Sequence, residues 1–120
     1  MKKEIHFNIE LDSQRVPEKI LWDATDNPNE GLGDTKAIFV TLWDHYHRGT
    51  LSLPLWTKDM EVPDMKRFCI EVMGSVADTL VTATGDQAMA DEIDNLCRTL
   101  SKRVEEEMKA AQQQAGGRTA

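Results

Sequence analysis

Cysteine is scarce in this chain. Two in 120 residues cannot by themselves build a disulfide scaffold or a zinc module. Cys69 and Cys97 both fall on apolar stripes of expected helices, where a thiol behaves as a small hydrophobe and stays reduced and buried. A bridge pinning the two helices is the alternative. Long apolar runs are also missing: no stretch approaches the ~20 residues that a membrane-spanning helix needs. Met1-Lys2-Lys3 opens as a signal peptide does, but apolar and polar residues alternate after it, so a cytoplasmic location is expected. Nor is there a basic patch. The formal charge is -7; residues 1–60 carry 7 bases against 10 acids, and residues 61–120 carry 7 against 11. Phosphate backbones require clustered Lys and Arg, so nucleic acid is not an expected partner, and an anionic bilayer would repel the chain.

Catalytic signatures are equally thin. Ser13, Ser52, Ser75 and Ser101 lack the glycine-flanked elbow of an activated nucleophile. Gly31-Leu32-Gly33 lacks the third glycine of a dinucleotide loop and the Lys-Ser/Thr that closes a phosphate loop. His45 and His47 are two apart and would share one side of a strand, yet no further ligand stands at metal spacing, so two solvated turn histidines are expected instead. Asp91, Glu92 and Asp94 suit the positive end of a helix, and Glu105, Glu106 and Glu107 form a solvated run. No catalytic residue, metal or cofactor is assigned.

What remains is a patterned, ordinary globular composition, 40% hydrophobic and 29% charged, of one-domain length. Ile5, Phe7, Ile9 and Leu11 alternate with polar neighbours and read as a strand with one wet face. Val16-Pro17 keeps the chain extended into a second strand over residues 18–25. Residues 26–34 are rich in turn formers and read as a long loop. A third strand over 36–46, nearly all apolar, and a fourth over 50–58 form a hairpin turning near Arg48-Gly49. Then the apolar period changes to helical. Met65, Phe68, Cys69, Val72, Met73, Val76, Ala77 and Leu80 form one stripe after Pro63, ended by Gly85. Met89, Ile93, Leu96, Cys97, Leu100, Val104 and Met108 form the next, capped by Asp86. The expected fold class is α+β: a four-stranded antiparallel β-meander, then two amphipathic helices packed on one sheet face (ββββαα). It is expected as a single domain over residues 1–110, with a flexible tail over 111–120 that has nothing to bury.

In the expected hairpin register Leu42 lies opposite Leu55, Trp43 opposite Pro54 and Thr41 opposite Trp56, with Asp44 misplaced on the face of Leu53. Pro54 cannot donate to a ladder, which makes the fourth strand an edge. The face away from Leu42 and Leu55 then carries Phe39, Trp43, Pro54 and Trp56. This aromatic set is the candidate protein-binding site, unless the loop or the last helix folds over it.

Several runs resemble the GldC family of gliding-motility accessory proteins from Bacteroidetes and relatives. They are Arg15-Val16-Pro17-Glu18-Lys19-Ile20 with Trp22 and Ala24-Thr25-Asp26, Thr35-Lys36-Ala37, Leu42-Trp43-Asp44-His45, Leu55-Trp56-Thr57-Lys58-Asp59-Met60, Met65-Lys66-Arg67-Phe68, Ala77-Asp78-Thr79 and Ala83-Thr84-Gly85-Asp86. The glutamine-rich tail departs from the family pattern. The resemblance implies a small cytoplasmic accessory of the gliding apparatus and its linked protein secretion, with no catalytic residues. The resulting expectation is a non-enzymatic module that binds a protein partner, a second copy of the chain included, through its sheet face or fourth-strand edge. A small-molecule-binding domain or enzyme with a pocket between sheet and helices is the alternative.

Overall fold

The first hairpin is built around one aspartate. In this computed structural model, which describes residues 1–27 and 32–117, β1 (Ile5–Leu11) pairs antiparallel with β2 (Pro17–Ala24). Between them the Asp12 Oδ1 accepts hydrogen bonds from the Gln14 and Val16 amides at 2.8 and 3.0 Å, and Arg15 takes a left-handed φ of 65°. The register slips between Glu10 and Leu11, so the strands enter the turn through an irregularity. Beyond it, Ile9 lies opposite Ile20, Phe7 opposite Trp22 and Ile5 opposite Ala24. Ile20 is fully buried.

A short strand, β3 (Gly33–Thr35), lies on the other side of β2. Its first residue faces Trp22, and a Cβ on Gly33 would lie 2.5 Å from the Trp22 Nε1. Glycine is needed there so that the indole can cross the neighbouring backbone. Of the loop expected over residues 26–34, residues 28–31 lie outside those described, and its end is strand.

The expected single meander is corrected at Lys36. The chain bends there, between a strand that lies inside the expected loop and the expected third strand, and these two belong to different sheets. β3 completes a three-stranded sheet in the order β1-β2-β3. β4 (Ala37–Asp44) and β5 (Gly49–Trp56) form a separate antiparallel pair. Strand periodicity reports which residues alternate; it carries no information on which neighbour supplies the ladder. Past the end of β5, the Thr57 amide donates to the Lys36 carbonyl at 2.8 Å, and the Lys58 amide to the Pro17 carbonyl at 3.0 Å. The first extends the β4–β5 ladder to the bend, and the second ties the pair to the start of β2. Ala37 and Thr57 are both buried at this junction.

Contacts divide the chain into two compact units, residues 1–60 and 61–120. The second is an αα-hairpin of α1 (Val62–Thr84) and α2 (Gln87–Gly117). Pro63 occupies the first turn of α1, where its missing donor is no loss. Gly85 ends α1 at a φ of 74°, its amide donating to the Val81 carbonyl at 2.9 Å. Asp86 Oδ1 then accepts the Met89 amide at 2.9 Å and caps α2. Close approach of the helices is set by alanines: Ala77 and Ala90 are the buried apolar residues of this unit among those described. Cys97 is half-buried, its thiol donating to the Ile70 carbonyl at 3.6 Å. Cys69 is exposed, contrary to its expected burial, and both thiols are free. Lys66 meets Glu107 at 2.8 Å across the two helices. α2 continues through Gln112, Gln113 and Gln114 to Gly117, further than the expected start of the tail at residue 111; residues 118–120 lie outside those described.

Candidate protein-binding surface

The β4–β5 hairpin is closed by Asp44. Its Oδ1 accepts the Tyr46 and His47 amides at 3.0 and 3.3 Å, and its Oδ2 pairs with the His47 Nδ1 at 2.6 Å. The His47 contact, then those two amides, hold the Asp44 carboxyl below the usual carboxylate range. Arg48 completes the turn at a φ of 53°. With the turn at residues 45–48, Asp44 lies opposite Gly49 and the whole register is set: Leu42 opposite Leu51, Val40 opposite Leu53, Ile38 opposite Leu55. The expected register, with Leu42 opposite Leu55, is therefore incorrect by four positions. An even shift leaves every side chain on its expected face. It also removes the anomaly at Asp44, which stands at the turn as a capping group instead of inside an apolar face. His45 and His47 lie in the turn rather than along a strand, and no three His, Cys, Asp or Glu among the described residues are grouped to hold a metal ion.

Phe39, Trp43, Pro54 and Trp56 share one face of the hairpin, but they are not one cluster. Phe39 lies directly opposite Pro54, with Trp56 on the diagonal next to it and opposite Ala37. Trp43 lies opposite Thr50, six residues from Trp56 along β5, or about 20 Å. Between them stand Thr41 and Ser52, whose hydroxyls meet at 3.1 Å. The aromatics are open: Phe39 is 45% exposed, Trp43 62% and Trp56 49%. The opposite face carries Leu42, Leu51 and Leu53, each about half exposed as well. Only one charge, Asp44, occurs in the two strands.

Hairpin and three-stranded sheet meet in a polar junction that pattern reading missed. Lys36 Nζ lies 2.6 Å from Asp59 Oδ2, and Thr57 Oγ1 donates to Asp59 Oδ1 at 2.6 Å. Lys36, then Thr57, hold the Asp59 carboxyl down at about 2. Lys58 Nζ bridges Glu18 at 3.1 Å and Asp12 at 3.3 Å, and those two carboxylates raise the Lys58 amine above its ordinary value. The Asp12 carboxyl is lowered, first by the Val16 amide. Three separate runs named above for their family resemblance converge here: Pro17-Glu18, Thr35-Lys36-Ala37 and Thr57-Lys58-Asp59. No local pattern joins them; only their common membership of those runs singles them out.

In the helical unit an open apolar groove of about 370 Å³ runs between Met65, Cys69, Met73, Leu100 and Val104, with Lys66, Arg103 and Glu107 at its rim. Lys66, then Arg103, lower the Glu107 carboxyl. Among the described residues, no helix is long and apolar enough to cross a membrane.

The family model for gliding motility-associated protein GldC-like matches residues 17–106, from the first residue of β2 into the second half of α2. The chain belongs to the GldC-like family. No curated protein and no solved structure matches it. The GldC-like match contains the whole polar junction except Asp12, both strands of the exposed hairpin, and the helical groove except Glu107.

Proposed function

We propose that this GldC-like chain is a non-enzymatic, cytoplasmic accessory of the gliding apparatus or its linked secretion machinery. It acts by binding a protein component through the β4–β5 hairpin. The association with gliding motility follows from the family; the binding role is supported by one observation above the others. The hairpin exposes Phe39, Trp43 and Trp56 on one face and Leu42, Leu51 and Leu53 on the other, with a single charge in both strands. A two-stranded ribbon is marginal alone in water, and large half-exposed aromatics are the residues that dominate binding energy when a partner covers them.

The test is recovery of identified motility or secretion components from native cells by the wild-type chain and by the Trp43→Ser/Trp56→Ser variant. Loss of those components from a variant that keeps the wild-type circular dichroism supports the reading. Recovery of the same components by both would remove the aromatic face from consideration. Because Trp43 and Trp56 stand about 20 Å apart, the single variants report which end of the hairpin is engaged.

A further inference from the structure

Every free strand edge among the described residues but one carries an obstacle to pairing. β3 is three residues long and includes Asp34. β1 presents Ile5, Phe7 and Ile9 on its outer edge, but His6 and Glu10 interrupt it, and an antiparallel copy centred on Phe7 would set Glu4 opposite Glu10. On β5 the obstacle is Pro54. The Thr57 amide bonds the Lys36 carbonyl, and bonded pairs alternate along an antiparallel ladder, so Pro54 opposite Phe39 is an unbonded pair. The donor that Pro54 lacks would thus point away from β4, into the outer edge of β5. By the same alternation the main-chain groups of Phe39, Thr41 and Trp43 point out from the free edge of β4. That edge has no proline, no bulge and no charge from Ala37 to Trp43.

We infer that the outer edge of β4 pairs antiparallel with β4 of a second copy of this chain, about a two-fold axis at Thr41. This deepens the proposed function, since it rests on the hairpin being the binding surface and names a partner for its edge. A two-fold at Thr41 sets outward groups against outward groups, so the strands exchange about six main-chain hydrogen bonds. It also places Phe39 opposite Trp43 of the second copy, and Val40 opposite Leu42 of the second copy. Trp43, stranded in its own hairpin, thereby joins the Phe39–Trp56 group of its neighbour, and the two ribbons become one four-stranded sheet. Charge favours this place over any other: in a chain of net charge -7, the paired segment is neutral, so like charges are not brought together there. The half-open rings of both copies offer on the order of 600 Å². Only part of this is covered when the edges pair, so the interface lies at the small, transient end of specific contacts and needs high protein concentration to form.

Sedimentation velocity of the full chain from roughly 5 to 300 μM tests this. The wild type should pass from monomer to dimer. Thr41→Lys and Thr41→Glu each set like charges against each other on the axis and should weaken dimerisation at least about tenfold. An equimolar mixture of the two should restore it, because the charges are then opposite. Ser52→Lys, on the same face but on β5, should leave the dimer intact. Circular dichroism confirms that each variant is folded, Thr41 and Ser52 being exposed. A wild type monomeric throughout, a dimer indifferent to charge at position 41, a mixture that does not recover, or a dimer lost in Ser52→Lys would each overturn the inference. A monomeric wild type that still recovers motility components through Trp43 and Trp56 would overturn this pairing alone and leave the proposed function standing.

Discussion

Gly33 leaves no room for a side chain, because the Trp22 indole occupies the place of a Cβ. Gly33→Ala should therefore destabilise the sheet unit by roughly 1–3 kcal/mol, as overpacking does where the obstacle is a wedged ring. Its urea midpoint should fall; an unchanged midpoint would show that the indole swings clear at no cost. Asp59 is a second residue whose environment makes a measurable claim. Its carboxyl is lowered from 3.8 to about 2 by Lys36 and then Thr57. A depressed carboxyl contributes stability above its unfolded value, and that contribution is lost as pH falls through the window from 3.8 to about 2. Asp59→Asn should thus melt below the wild type at neutral pH, with the gap closing as melting curves are taken down through that window. A gap constant across it would mean that the Lys36 contact adds nothing to the folded state.

At the scale of elements, two aspartates do similar work in different settings. Asp86 caps α2, and Asp86→Ala should cost about 1 kcal/mol in thermal or urea unfolding, the usual loss at such a position. Asp44 organises a β-turn instead, and its removal bears on register more than on stability. The pairing with Leu42 opposite Leu55 keeps the same faces as the observed one, so the turn at one end and the Lys36–Thr57 bond at the other separate them. Asp44→Ala should speed amide exchange along β4 and β5 while leaving the helical unit protected. Uniform protection in the variant would show that Arg48 and the apolar pairs specify the turn without Asp44.

For the molecule as a whole, the net charge of -7 opposes any self-association. Dimerisation through a neutral strand should therefore strengthen when salt rises from roughly 20 to 500 mM, since screening removes repulsion without touching the main-chain bonds. An interface built on ion pairs would weaken over the same range. Sedimentation at the two ionic strengths separates these outcomes.

Much of the architecture was legible in local pattern. Alternation located β1, the helical stripes and Pro63, Gly85 and Asp86 marked both helices, the two ends of α1 and the start of α2, and the parity of β4 and β5 put Phe39, Trp43, Pro54 and Trp56 on one face. Each of those features is decided within a few residues, by period and by capping chemistry. The turn at residues 45–48, the bend at Lys36 and the meeting of Pro17, Lys36 and Thr57 were not legible, nor was the separation of Trp43 from Trp56. Gly33-Asp34-Thr35 has the composition of a loop and the run from Ala37 to Trp43 that of any apolar strand, because a strand's choice of neighbour is made by hydrogen bonds between segments distant in the chain. Tertiary structure alone could pair Gly33–Thr35 with β2, turn the chain at Lys36 into a second sheet and, among the described residues, leave the outer edge of β4 unpaired.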